Sequence, residues 1–197
     1  MKCDTQLNDT FINAAMQFLL QERGSGVYSS LDALFCTDGR MVTSKCKKSC
    51  SFLYTSAEAV YFPVHFGGHW TMAIVLPKEA RIVHFDSFGD GITSAATKGV
   101  VEAFKAWLTA RAPASFSGKQ WKIEYVRTPR AFTQKDAWSC GLFAVARAAE
   151  HMFGQAGSEH VFVLKRDRIA AFRELLQAKL IGKSDEKISD FLFGSQC

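Results

Sequence analysis

Residues 134 to 146 read QKDAWSCGLFAVA, with Cys140 directly before a glycine and an apolar run. The spacing predicts a helix over 140–153, CGLFAVARAAEHMF, closed by Gly154 and with Ser139 available as N-cap. A thiol in the first turn of a helix meets unpaired N–H groups and partial positive charge. Both favour thiolate over thiol. The Cys140 N–H can receive an oxyanion, and Gly141 leaves the approach to the sulfur uncrowded. The same residues also fit a small buried cysteine packed beside Leu142 and Phe143. The partners decide between the two.

A nucleophile needs a base, and the base needs an orienting group. The histidines are His65, His69, His84, His151 and His160. His69 begins the predicted strand HWTMAIVL (69–76), and Asp86 lies near the end of the next, RIVHFDS (81–87). If PKEA (77–80) is the connecting turn, Leu76 pairs with Arg81, and the register carries Asp86 opposite Thr71. His69 shares the face of Thr71 by strand parity. The diagonal separation, roughly 7–8 Å or less between β-carbons, permits an imidazole–carboxylate hydrogen bond. His84 is on that face too and competes, although deeper in its strand. His65, followed by Phe66 and two glycines, reads as a loop residue. Gln134 supplies an amide that a five-residue loop can fold back toward the Cys140 N–H, giving two oxyanion donors.

The elements that must position these residues follow from periodicity. LNDTFINAAMQFLLQERGSG predicts a first helix capped by Asn8 or Asp9, with Phe11, Ile12, Ala15, Phe18 and Leu19 on one face. Gly24 and Gly26 end it. Residues 27–58 read as short helical pieces and loops. AVYFPVHF (59–66) and WKIEYVRT (121–128) read as further strands, and HWTMAIVL is apolar on both faces, as a covered central strand would be. Helical spacing returns over 94–112 and 166–182. This order fits α+β better than a regular βαβ alternation.

The chain has 197 residues, 48% of them hydrophobic and 22% charged, which suits one globular domain over 1–197 and excludes global disorder. The net charge of +5 is spread along the chain, and the clusters at 45–48 and 165–168 are short and mixed. They read as solvated surface and not as a nucleic-acid footprint, while an acidic protein partner stays open. No signal pattern opens the sequence and no apolar run reaches spanning length, so an intracellular protein without membrane contact is expected. The six cysteines read as free thiols, and Cys36, Cys46 and Cys50 lack the paired spacing of a zinc site. No metal and no cofactor are expected.

HW, then FDS with its aspartate seventeen residues after the histidine, then Q-x5-CG opening a helix, resembles the ubiquitin-like-protein-specific proteases, the SUMO protease family. QLNDTFINAAMQFLL is similar to the N-terminal WLND helix of that family, and the resemblance spans residues 6 to about 153. It implies a papain-like α+β fold, a central mixed or antiparallel sheet flanked by helices, with the site in chain order His, Asp, Cys. It also implies Cys140 as nucleophile, His69 as general base, Asp86 as its orienter and Gln134 as oxyanion donor. Asp9, Trp70 and Trp138 are implied along the substrate, Trp70 walling a narrow tunnel for a Gly-Gly tail. Trp70 is also readable as plain core. The chain departs from the family at Gln6, where a second tunnel tryptophan is usual, and at Ser139, where aspartate is common.

The activity so implied is a cysteine peptidase cutting after glycine in the Gly-Gly tail of SUMO, ubiquitin or a related modifier, by deconjugation or precursor processing. The partner implied is that modifier or a Gly-Gly-containing protein, met by a monomer in nucleus or cytoplasm, those of a host cell if the chain is viral or an effector. DSFGDG (86–91) and SCGLF (139–143) also resemble the adenovirus endopeptidase, which would mean processing of protein precursors at Gly-containing sites. A same-clan effector acetyltransferase and a non-catalytic modifier-binding module are the remaining alternatives.

Overall fold

A strand with apolar side chains at both parities must be covered on both faces, and HWTMAIVL takes that place. The computed structural model describes residues 7–24, 28–30, 34–37, 40–43, 57–89, 95–111, 118–154 and 162–194. Its strands are β1 (Tyr28–Ser30), β2 (Leu34–Thr37), β3 (Arg40–Thr43), β4 (Ala59–Phe66), β5 (His69–Leu76), β6 (Arg81–Phe85) and β7 (Lys122–Tyr125). Its helices are α1 (Asp9–Arg23), α2 (Ala95–Arg111), α3 (Cys140–Phe153), α4 (Ile169–Leu180) and α5 (Ile188–Phe193). The sheet runs β3-β2-β4-β5-β6-β7, with β1 also pairing with β4. It is mixed: β4, β5 and β6 are antiparallel neighbours, whereas β7 pairs parallel with β6. The architecture is α+β.

The turns set the register. Gly67 and Gly68, at φ 53° and 77°, form the two-residue turn that brings Phe66 opposite His69. Two positive φ values in a hairpin turn favour glycine because it has no Cβ to clash. PKEA becomes a 3-10 turn over Pro77–Glu79 with Ala80 left-handed, and Leu76 pairs with Arg81 as the turn predicts. β6 then reaches β7 through α2, and β7 lies parallel to it from Arg81↔Lys122 to His84↔Tyr125.

Alternation along the strands divides the core into two. Tyr61, Trp70, Met72, Ile74 and Val83 belong to the cluster with α1, α3 and α4; Phe62, Val64, Ala73, Val75 and Ile82 pack with α2 residues Phe104, Trp107 and Leu108. Helix α3 lies on β5 and is buried at every position from Cys140 to Met152. Its polar side chains find partners inside the protein. Arg147 reaches Glu150 at 3.1 Å, Glu150 accepts from the Val163 and Leu164 N–H groups, and His151 meets the Tyr61 hydroxyl at 2.7 Å. Among the described residues no helix is long and apolar enough to cross a membrane.

Three expectations change. The described parts of 27–58 are strands and not helical pieces: β1 and β2 line one edge of β4 in parallel, and β3 pairs with β2. Segments of three or four residues are too short to show a period, and pairing decides them. The helix expected over 166–182 begins as a 3-10 turn, Arg166–Arg168, and α5 had no strong signal, being held by buried Ile188 and Leu192. Gly141 serves packing more than access to the sulfur. A Cβ there would lie 3.1 Å from Ile12 Cδ1, 3.3 Å from Leu7 Cβ and 3.4 Å from Trp70 Cδ1.

The glycines of α2 and α3 therefore respond oppositely to alanine. Gly99→Ala meets nothing within 4 Å and is expected to raise stability by up to about 1 kcal/mol through helix propensity. Gly141→Ala overpacks α1 against α3 and is expected to lose about 1 kcal/mol net, since overpacking costs ~1–3 kcal/mol. Denaturant midpoints of both variants check this; a gain at Gly141 would show that α1 can move away without cost.

Candidate active site

β5 begins, β6 ends and the loop after β7 returns all at one end of the sheet, so residues far apart in sequence converge there. His69 is the first residue of β5 and Asp86 the first beyond β6. Their register sets His69 Nε2 2.8 Å from Asp86 Oδ1. Oδ1 also accepts from the Phe88 N–H at 3.0 Å, and Thr97 of α2 donates to Oδ2 at 3.4 Å. Thr128 donates to the Asp86 carbonyl at 3.2 Å. With Nε2 engaged by Asp86, Nδ1 is the ring nitrogen left for Cys140, to which the imidazole also hydrogen-bonds. Thr97 comes from the α2 side of the sheet and Cys140 from the α3 side, and His69 joins them.

The electrostatics follow. Burial pulls the His69 pKa down, but hydrogen bonds to Asp86 and Cys140, and the attraction of both charges, outweigh it and raise the value from 6.5 to about 9. Burial pushes Asp86 up, yet the hydrogen bond and charge of His69 and the Phe88 N–H hold it below the ordinary 3.8. His84 points into the α2 side, 2% exposed, and neither ring nitrogen has a hydrogen-bond partner among the described residues. Burial lowers its pKa to about 4, so it stays neutral and has no free route to a sulfur. Of the competing histidines, the structure brings His69 to the cysteine. His65 is a strand residue and not a loop residue; its ring lies 4.7 Å from that of Trp70.

Gln134 is buried in the loop before α3, stitched to the turn after β6. Its N–H donates to the Ser87 carbonyl at 2.8 Å and its Oε1 accepts from the Ser87 hydroxyl at 2.7 Å. Its Nε2 donates to the Asp136 carbonyl at 2.7 Å and to Oδ1 of the same residue at 3.3 Å. The amide thus has a defined orientation, and its second donor contact is long and replaceable.

Asp136, unassigned by sequence reasoning, organises this loop. Its carboxylate accepts from the N–H groups of Trp138 and Ser139, at 2.9 and 2.7 Å, and from the Ser139 hydroxyl at 2.7 Å. Burial raises its pKa, but these bonds outweigh that and lower it. Ser139 is accordingly not a side-chain cap of α3: its φ and ψ of −87° and 2° differ from the extended backbone of a cap, and its hydroxyl turns back to Asp136. An aspartate two residues before the donating N–H is an Asx-turn signal that could have been read. Thr97, Thr128 and Ser87 carry no such signal, since only the tertiary fold brings them to Asp86 and Gln134.

The three residues expected along a substrate fare differently. Trp70 is 2% exposed and its indole N–H donates to the Leu7 carbonyl at 3.0 Å, fastening the segment before α1 to the start of β5. Asp9 opens α1 near His65, while Asn8 is the residue that caps, accepting from the Phe11 N–H at 2.9 Å. Trp138 packs on the first core cluster with the Arg173 guanidinium 5.9 Å from its ring centre. Gln6, Cys46 and Cys50 lie outside the described residues. Among those described, no group of three His, Cys, Asp or Glu is arranged to hold a metal.

Because the His69 pKa is raised in the folded state, its contribution to stability is complete below about pH 6.5 and is lost as pH rises through about 9. Asp86, being lowered, contributes above 3.8 and loses that contribution as pH falls. Asp86→Asn is expected to bring the His69 pKa down from about 9, toward the ordinary value. A titration of the His69 ring followed by NMR checks this, and an unmoved value would assign the shift to Cys140 alone.

Comparison with known proteins places this geometry. The family described as Ulp1 protease family, C-terminal catalytic domain, matches residues 5–184. The sentrin-specific protease of Caenorhabditis elegans is 29% identical over 147 residues, covering 70% of this chain and 20% of that protein. Ubiquitin-like-specific protease ESD4 of Arabidopsis thaliana is 20% identical over 98 residues, covering 49% and 19%. The chain thus spans about a fifth of the length of these relatives. The X-ray structure of the C-terminal Ulp1 protease domain in complex with Smt3, the yeast ortholog of SUMO, superposes with a TM-score of 0.62 at 14% identity, over 90% of this chain and 77% of that one. ChlaDub1 from Chlamydia trachomatis gives 0.58 at 12% identity, over 92% and 94%. The match from residue 5 to residue 184, on a sheet and helices arranged in the same way, means that this chain belongs to the Ulp1 protease family.

Proposed function

We propose that this domain is a cysteine peptidase that cuts after glycine in the Gly-Gly tail of SUMO, ubiquitin or a related modifier. The observation that carries the reading is the helix-start thiol of Cys140, hydrogen-bonded to a His69 that is itself 2.8 Å from Asp86. The thiolate attacks the carbonyl of the last glycine to form a thioester, and the imidazolium of His69 protonates the leaving amine. His69 then takes a proton from water, which hydrolyses the thioester and frees the sulfur. The oxyanion sits between the Cys140 N–H and Gln134, whose long contact to Asp136 gives way to the stronger charge. Asp86 keeps the imidazole oriented throughout.

Glycine selectivity has support in burial. Cys140 is 2% exposed and α3 is sealed by Leu7, Ile12 and Trp70. A chain without side chains is the one that reaches so enclosed a sulfur at low steric cost. The tail runs along the Trp70 side, with Asp9 and Trp138 available to the body of the modifier. The named relatives act on SUMO-type or ubiquitin-like proteins, which favours such a modifier over a viral precursor.

Fluorogenic Gly-Gly-tailed modifiers, compared with glycine-containing peptides, test the reading. It fails if none is turned over and no tail-derived electrophile labels Cys140. Cys140→Ala is expected to lower kcat by several powers of ten while modifier binding persists. Gln134→Ala is expected to lower kcat about 10²–10³-fold with KM little changed, because the donor acts on charge absent from the ground state. An effect on KM alone would instead make Gln134 a substrate-positioning residue.

A further inference from the structure

Beside the catalytic pair a groove of about 660 Å³ opens between the turn after β6 and the loop that leads to α3. Phe88 and Gln134 form the wall nearest the site, and Arg127, Arg130 and Lys135 line the remainder. Among the described residues no acidic side chain lines it. All three cationic side chains are exposed, and among the described residues none is paired with a carboxylate. Three unpaired cations around one concavity repel one another, and an anionic ligand relieves that.

The position of the groove says which part of a substrate would enter it. Phe88 stacks on the His69 ring with centroids 4.7 Å apart and planes 26° from parallel, and it is 53% exposed. His69 must protonate the leaving amine, so the chain beyond the scissile bond passes His69 and then Phe88. The other flank of Cys140, narrowed by Leu7, Ile12 and Trp70 around Gly141, is the side assigned above to the tail. The groove is therefore on the leaving-group side.

We infer that this groove selects substrates by binding an acidic peptide segment on the leaving-group side of the scissile bond, through Arg127, Arg130 and Lys135. The inference rests on the peptidase reading above and adds a specificity to it that the tail does not supply. Tail recognition chooses the modifier, whereas the groove chooses what the modifier is attached to, or which extension is removed from it.

The test compares three substrates with one Gly-Gly tail, followed by aminocoumarin, by a neutral Ser/Asn segment or by an Asp/Glu segment. The acidic segment is expected to raise kcat/KM over the neutral one by about three- to tenfold, the yield of two or three exposed ion pairs. The advantage should shrink as salt is raised. Arg127→Ser with Arg130→Ser should equalise the two peptides and leave aminocoumarin release unchanged. Equal rates in the wild type, or a preference that survives in the double variant, would overturn the inference.

Binding separates this from failure of the peptidase reading. A fluorescein-labelled acidic peptide should bind Cys140→Ala protein and be released by the two serine substitutions, whatever the catalytic outcome. Absence of that binding would sink the groove even if Gly-Gly tails are cleaved. Stronger capture of a short oligonucleotide than of the acidic peptide would also overturn it, as a groove for phosphate and not for carboxylate.

Discussion

His69 Nε2 and Asp86 Oδ1 are 2.8 Å apart because β5 and β6 pair in one register, Leu76 with Arg81. A slip of one residue would turn Asp86 to the other face of the sheet and leave the imidazole without its acceptor. The register in turn depends on a 3-10 turn closed by a left-handed Ala80, and on a β4–β5 hairpin whose two glycines make His69 the first residue of its strand. Much of the remaining architecture holds this pair steady. Thr97 reaches it from α2, Thr128 from the loop after β7 and the Phe88 N–H from the adjoining turn.

The same sheet shows how environment divides roles between chemically identical groups. His69 and His84 share a strand face and are both largely removed from water. Hydrogen-bonded to Asp86 and Cys140, the first is raised to about 9. Fully buried and without a hydrogen-bond partner among the described residues, the second falls to about 4. Desolvation and the charge of Asp86 act on both; the hydrogen bonds that only His69 makes decide.

On the other side of the sulfur, Asp136 does for the loop what Asp86 does for the imidazole. One carboxylate gathers two backbone N–H groups and the Ser139 hydroxyl, and its residue receives both donors of Gln134. A loop ordered in this way reaches the first turn of α3 at a defined angle. The family commonly has an acid directly before the cysteine. Here Ser139 stands at that position and an acid three residues earlier bonds to it, so negative charge remains close to the helix start by another route.

Local pattern was enough to place α1, the central hairpin, α2 and α3, because each is long and strongly periodic, and the β5–β6 turn length was enough to bring Asp86 near His69. The place of Cys140 in the first turn of a helix was visible for the same reason, whereas its pairing with His69 was implied by the family resemblance. The short strands β1 to β3 were not, since three or four residues gain strand character only from the edge of β4 that they join. Sequence left His69 and His84 in competition, gave Gly141 a role in access and made Ser139 a cap. Burial, the contact of α1 with α3 and the carboxylate of Asp136 decided those three points. The sequence by itself determined which of the long elements form and which side chains have the chemistry. Only the tertiary structure decided which of them meet, because desolvation and hydrogen bonding between distant segments exist once the chain has packed and are encoded in no local stretch.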